Sequence, residues 1–393
     1  MTSQGVKIPT ITLSAGPVDA YPAVLRALGR TVTYDFDPYF QGVFERTARK
    51  AAQALNTDQP PLILQGEPVL ALEAAAASLI GPEDVVLNLA SGEYGKGFGY
   101  WAARYCKEVV EIEVPYNDAI APDQVREVLE QRPDIAVLSV CHHDTPSGTI
   151  NPVNEIGALC RQHDVLMIVD AVSSWGGMDV DPVTSHSDVF ITGPNKCLGG
   201  TPGLSLVHVS DRAWDHIDAN PNAPFASMLS MTDWRKAWRA DEKFPFTPSV
   251  AEVNGLEAAL DLYLEEGPET VWERHALTAR ACREGMKAMG LTLWPAREEI
   301  AADTCTTIRV PEGLEDEAIR QATRDLYGVV FSAGRGSLVG KLIRIGHMGP
   351  VAEPVYATVA ITALGGAINH LGGSADIGAG ITAALAVINA ARV

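Results

Sequence analysis

The sequence predicts a two-domain α/β protein, a large mainly parallel-sheet domain followed by a smaller α+β C-terminal domain, and three observations support this. Between about residues 61 and 209, short apolar runs alternate with amphipathic stretches, the pattern of strands buried on both faces between helices. Beyond residue 300, strand-like and helical segments follow one another without that alternation. No internal repeat or low-complexity linker separates the two parts, so they are expected to pack closely.

The runs at 61–64, 85–89, 136–140, 165–169, 189–192 and 204–207 are dense in Val, Ile and Leu and short enough for strands. Between them, residues 69–80, 94–105, 122–131 and 154–162 carry apolar side chains at helical spacing. Residues 221–248 are rich in Pro, Trp and Phe and show no period, which predicts an active-site or subunit-contact segment. Helical spacing resumes over 250–264 and 269–289. Strands are expected at 306–310, 329–331 and 342–345, and helices at 354–371 and 377–391. The large domain is therefore assigned to residues 1–250, with residues 1–20 touching the active site or the small domain, and the small domain to 251–393.

At 393 residues the chain is long enough for a sizeable core, and 47% apolar with 20% charged residues is an ordinary globular composition. A net charge of −19 opposes nonspecific binding to nucleic acid or an anionic membrane, so neither is expected as a partner. An anionic substrate then needs locally placed arginines. The six cysteines form no C-x-x-C pair, which argues against a zinc site or a disulfide framework and for a reducing, cytoplasmic compartment. Residues 1–10 lack the pattern of a signal peptide, and no uncharged apolar run reaches the roughly 18 residues of a membrane span.

Two residues carry the strongest chemical signal. Asp170 ends the apolar run Ile168-Val169 and is followed by Ala171-Val172-Ser173-Ser174; Lys196 lies in the loop Thr192-Gly193-Pro194-Asn195-Lys196-Cys197-Leu198-Gly199-Gly200. A strand-end carboxylate and a loop amine are what pyridoxal chemistry requires. The carboxylate keeps a pyridine nitrogen protonated, which makes the ring an electron sink, while the amine can form a Schiff base with the aldehyde and then shuttle protons.

With this pair in that setting, the chain resembles the class V aminotransferases of fold type I, the group that contains alanine-glyoxylate and serine-pyruvate aminotransferases. Ala15-Gly16-Pro17, residues 142–148, Pro202-Gly203, Thr247-Pro248-Ser249-Val250 and Arg344-Ile345-Gly346-His347-Met348-Gly349 carry the resemblance along essentially the whole chain. It implies roles residue by residue. Lys196 and Asp170 are catalytic, Tyr94 stacks on the pyridine ring, and Thr145 hydrogen-bonds the phenolic oxygen. Arg344 grips the substrate carboxylate with its planar fork, and Arg335 in its glycine-flanked loop is placed to join it. The resemblance also implies at least a homodimer, with a homotetramer equally compatible, in which residues near Thr247 cross to the neighbouring active site.

Two positions depart from the family pattern. Where members bind the cofactor phosphate with a turn of small residues at a helix N-terminus, this chain has Gln65-Gly66-Glu67-Pro68-Val69. Pro68 removes an N–H donor, and Glu67 brings a negative charge to a place that ordinarily attracts anions. Two unit charges about 4 Å apart repel by roughly 4 kcal/mol at an effective dielectric of about 20. Where the family carries a tyrosine reaching the phosphate, the chain has Phe244, without a hydroxyl. The expectation is therefore an aminotransferase for which the unphosphorylated B6 vitamer is a substrate. Glu67 accepts a bond from the free 5′-hydroxyl, and no cofactor is tightly bound. The resemblance then implies pyridoxamine and pyruvate as substrates, pyridoxal and L-alanine as products. The alternative is a conventional alanine-glyoxylate or serine-pyruvate type of enzyme that holds pyridoxal phosphate, with Glu67 incidental. No metal ligand set is expected.

Overall fold

The computed structural model describes residues 9–391; residues 1–8 of the N-terminal segment expected to reach the active site lie outside them. In chain order the strands are β1 (Ile11–Leu13), β2 (Leu62–Gln65), β3 (Val85–Ala90), β4 (Glu108–Glu113) and β5 (Ile135–Cys141). A short hairpin, β6 (His143–Asp144) and β7 (Thr149–Ile150), follows, then β8 (Leu166–Asp170), β9 (Val189–Thr192) and β10 (Leu204–Val209). The C-terminal part adds β11 (Cys305–Arg309), β12 (Val329–Ala333) and β13 (Leu342–Gly346).

Seven strands form the large sheet in the order β2-β10-β9-β8-β5-β3-β4. β4, β3, β5, β8 and β9 pair in parallel, and β10 runs antiparallel to both its neighbours, so the sheet is the mainly parallel one the apolar runs predict. β3, β9 and β10 are buried along their whole length, as unbroken Val, Ile and Leu runs require when helices cover both faces. β4 has no counterpart among the expected strands. Its sequence EVVEIE sits at the sheet edge with all three of its glutamates exposed, and charge is how an edge strand discourages further pairing.

The expected helices appear within a few residues of their predicted bounds. Pro68–Leu79 starts on a proline, which is tolerated in the first turn because its missing N–H has no intrahelical partner there. Glu93–Ala102, Pro122–Gln131 and Val153–Gln162 follow β3, β4 and β7. The aperiodic stretch 221–248 is mostly irregular, with the single turn of helix Met231–Trp234. Helices Pro22–Leu28, Pro38–Ala54 and Asp316–Tyr327 add to those the apolar spacing identifies.

The second sheet has the order β1-β12-β13-β11. β1 comes from the chain's beginning and pairs in parallel with β12, Ile11 opposite Val329 and Leu13 opposite Phe331. Two apolar clusters underlie the molecule, one beneath the large sheet and one beneath the small. Core membership does not divide at residue 250: Val250, Val253, Leu256, Leu260 and Tyr263 belong to the larger cluster. The reason is that the helix Val250–Glu266 packs on Pro22–Leu28 and Pro38–Ala54. Among the described residues, no helix is long and apolar enough to cross a membrane.

Candidate active site

Because neighbouring strands run in parallel, the turns that leave β3, β5, β8 and β9 all emerge at one edge of the sheet, and the chemistry-bearing residues emerge with them. Asp170 is the last residue of β8, level with Cys141 on β5 and Ile191 on β9. Its Oδ1 accepts the Val172 N–H at 3.0 Å. Burial pushes this carboxyl up to about 6, against the pull of that N–H, of Cys141 and of the Lys196 charge.

Lys196 follows β9 and is 9% exposed. Its Nζ donates to the Ala15 carbonyl at 2.7 Å, so the N-terminal segment passes directly over the amine. Only glycine fits at the next position. A Cβ on Gly16 would stand 1.9 Å from Lys196 Nζ, and Gly16 holds φ +129°. Burial first, and the Arg344 charge second, lower the Lys196 amine to about 8.

The turn after β5 is a dense polar knot. Asp144 is fully buried and its Oδ2 accepts the N–H groups of Tyr94 at 2.8 Å and Gly95 at 3.0 Å. That carboxylate thus caps a helix belonging to another segment, Glu93–Ala102, while its Oδ1 has no partner among the described residues. Burial pushes Asp144 up to about 7. Thr145 Oγ1 lies 2.5 Å from Ser173 Oγ, in the loop just beyond Asp170. His142 bonds Ser174 Oγ at 2.8 Å, and burial lowers its imidazole to about 4, so it stays neutral.

Tyr94 is half-buried at the start of its helix, and burial raises its phenol against the nearby Arg335 and Arg344 charges. The Arg335 guanidinium carbon lies over the Tyr94 ring, 5.4 Å from its centroid. Arg335 is exposed, whereas Arg344 on β13 is half-buried, its Nε donating to the Ala333 carbonyl at 2.7 Å. The two arginines come from the small sheet and the aspartate and lysine from the large one. The site therefore lies between the sheets.

Glu67 is within electrostatic reach of Asp170 and Lys196, but its Oε2 accepts the Val69 N–H at 3.0 Å, so the carboxylate caps its own helix. The rest of that turn is also engaged. Gly66 N–H donates to Gly203 O, Leu70 N–H donates to Glu67 O, and Pro68 has no N–H. Phe244 is 8% exposed and packs among Phe36, Phe40 and Phe44, with the Phe44 ring centroid 4.9 Å away. All seven residues singled out in the sequence thus have a defined place around one edge, Thr145 through Ser173. Asp144, Ser173 and the Ala15 carbonyl were not singled out, although Asp144 stands beside Thr145 in the same motif. A wider cleft lined by Arg49, Trp214, Arg235 and Trp238 lies at the opposite edge of the sheet, away from these groups. Among the described residues there is no cluster of side chains suited to a metal ion.

Residues 29–348 match the aminotransferase class-V family. A pyridoxamine–pyruvate transaminase of Mesorhizobium japonicum is 62% identical over 97% of this chain and 97% of its own. The crystal structure of pyridoxamine-pyruvate aminotransferase from Mesorhizobium loti superposes with a TM-score of 0.97 at 61% identity, covering 99% of this chain and all (100%) of that one. The ureidoglycine-glyoxylate aminotransferase of Bacillus subtilis superposes with a TM-score of 0.92 at 28% identity, covering 99% of this chain and 100% of that one.

The class-V family depends on pyridoxal phosphate, and this overturns the expectation that no cofactor is tightly bound. The ring half of that group fits the residues present: a buried carboxylate raised to about 6 and in no ion pair among the described residues, an amine lowered to about 8, and an aromatic ring beside them. The phosphate half would meet the Glu67 carboxylate and a turn whose Gly66, Val69 and Leu70 N–H groups are already bonded.

Proposed function

The chain belongs to the class-V aminotransferases, and from that premise we propose that it transfers the amino group of pyridoxamine to pyruvate, giving pyridoxal and L-alanine. The observation that carries this reading is the 62% identity, over 97% of both chains, to a pyridoxamine–pyruvate transaminase. The carboxylate at position 67 supports it independently, since a 5′-hydroxyl can donate to Glu67 Oε1, the oxygen not bonded to Val69, where a phosphate would be repelled.

When bound, the pyridoxal ring supplies an electron sink that makes a proton on the neighbouring carbon removable. The protein does the rest. Asp170, ionised above about pH 6, holds the proton on the ring nitrogen. Tyr94 stacks on the ring, and Thr145, set by Ser173, bonds the phenolic oxygen. Arg344 and Arg335 hold the pyruvate carboxylate, supplying the local positive charge that a chain of net charge −19 otherwise lacks. Lys196 Nζ moves the proton between C4′ and the α-carbon of the forming alanine. An amine lowered to about 8 gives and takes a proton near neutrality, whereas an ordinary lysine stays charged. The N-terminal segment over Lys196 keeps water from that amine.

We take the working form to be at least a homodimer. Val32 and Tyr34, each 70% exposed, and Tyr39, 66% exposed, form an apolar surface beside Phe36 that a second copy would cover. Light scattering at working concentration tests this, a monomeric mass being the contrary result.

The decisive assay is steady-state formation of L-alanine and pyridoxal from pyridoxamine and pyruvate, compared with pyridoxamine 5′-phosphate at equal pyruvate. Pyridoxamine should be the preferred donor. Preference for the phosphate, or alanine–glyoxylate exchange indifferent to added pyridoxamine, would overturn the reading in favour of a conventional aminotransferase.

A further inference from the structure

We propose that Glu93 is a positioning residue for the oxo-acid subsite, holding the turn that carries Arg335 so that the guanidinium stays over the Tyr94 ring. This rests on the aminotransferase reading above and adds a residue that the sequence did not single out.

Glu93 is the first residue of the helix Glu93–Ala102, where a carboxylate ordinarily serves the helix's own N–H groups. Here that task falls to Asp144, which takes the N–H groups of Tyr94 and Gly95. The Glu93 carboxylate instead leaves its helix. Its Oε1 accepts both the backbone N–H of Ser337, at 2.7 Å, and the Ser337 hydroxyl, at 2.6 Å. Ser337 lies in the short turn Gly336–Leu338, between β12 and β13 and next to Arg335. The turn is fitted to this approach. Gly336 holds φ +55°, and a Cβ there would stand 2.0 Å from Glu93 Oε2.

The consequence concerns Arg335. No ion pair fixes it among the described residues; its guanidinium meets the Tyr94 ring, and its backbone is fixed by Leu338, whose N–H bonds Arg335 O at 3.0 Å, and by the Glu93–Ser337 contact. Tyr94 is the residue after Glu93. The same helix start therefore sets both the ring that stacks on the vitamer and the arginine that reaches the oxo-acid carboxylate, which fixes the spacing between the two reacting partners.

The test is steady-state kinetics on the whole enzyme. Glu93→Ala should raise the KM for pyruvate about tenfold, which converts to about 1.4 kcal/mol, with the KM for pyridoxamine and kcat each held within about twofold. Glu93→Gln should restore the pyruvate KM to within about twofold, because its amide oxygen still accepts from Ser337. In an Arg335→Ala background, Glu93→Ala should add less than about twofold, since two residues acting through one contact are not additive. An unchanged pyruvate KM in Glu93→Ala, an equal effect on both substrates, failure of Glu93→Gln to rescue, or additivity with Arg335→Ala would each overturn the proposal. Should the wild-type enzyme not turn over pyruvate, the substrate reading fails instead, and the same comparison with glyoxylate as acceptor decides the role of Glu93.

Discussion

Replacing Lys196 with methionine should abolish turnover and at the same time stabilise the folded protein at neutral pH. The amine is 9% exposed and is lowered from 10.5 to about 8, chiefly because burial penalises its charge. Each pKa unit is worth about 1.4 kcal/mol, so keeping this ammonium in the fold costs about 3 kcal/mol relative to a neutral side chain. Methionine has similar length and no charge to desolvate. Two effects oppose the gain. The 2.7 Å bond to the Ala15 carbonyl is lost, and Asp170 loses a neighbouring cation that had lowered its pKa. A net gain of about 1–3 kcal/mol at pH 7 is expected. The sign follows from proton binding. Between about 8 and 10.5 the unfolded chain holds a proton on Lys196 that the folded chain has released, so wild-type stability rises with pH across that window. The advantage of Lys196→Met is therefore full below about pH 8 and fades as pH approaches 10.5. Urea unfolding of both proteins at pH 7 and pH 10, at one fixed protein concentration, measures it. Equal stability at pH 7, or a difference that does not shrink by pH 10, would refute the assignment of a charge-penalised buried amine.

Three further outcomes are expected. Turnover of pyridoxamine and pyruvate should rise about tenfold between pH 7 and pH 9 as Lys196 loses its proton near 8, and should fall away further below about 6 as Asp170 becomes protonated; a flat profile from pH 6 to 9 would rule out both groups. Glu67→Ser should shift the kcat/KM ratio toward pyridoxamine 5′-phosphate by at least about tenfold, because a like charge is removed from the 5′ end. A ratio unchanged by that substitution would leave Glu67 as a helix cap alone. Asp144→Ala should cost about 2–4 kcal/mol of stability by leaving the Tyr94 and Gly95 N–H groups without their acceptor, and should raise the KM for pyridoxamine, as read by denaturant titration and initial rates; neither change would mean that the cap does not set the stacking ring.

How far the sequence could be read follows from which interactions are local. The buried strands of the large sheet are runs of Val, Ile and Leu, and the polar residues that end them stand out against those runs. Asp170 and the loop of Lys196 were legible for that reason, as was the class of the fold. β4 was not, since an edge strand that is half glutamate looks like a solvated segment until a neighbour pairs with it. Position 244 showed only a missing hydroxyl; that its ring fills a pocket among Phe36, Phe40 and Phe44 depended on a helix two hundred residues away in sequence. Glu67 was legible as a charge where the family expects none, but its bond to Val69 shows that it also completes its own helix. From those departures it did not follow that no cofactor is held, and membership in a family dependent on pyridoxal phosphate corrected that step.

The sequence by itself determined the alternating α/β architecture, because buried strands are written in short apolar runs, and it singled out Asp170 and Lys196 as candidates for pyridoxal chemistry and, through the family resemblance, Arg335 and Arg344 as candidates for the substrate carboxylate. Only the tertiary structure decided the surroundings that tune them: the Ala15 carbonyl on Lys196, Asp144 capping the helix of Tyr94, and Glu93 reaching Ser337 beside Arg335. These are contacts between segments far apart along the chain. Their distances, and the burial that moves Asp170 and Lys196 toward neutrality, come into being only when the two sheets close on one another.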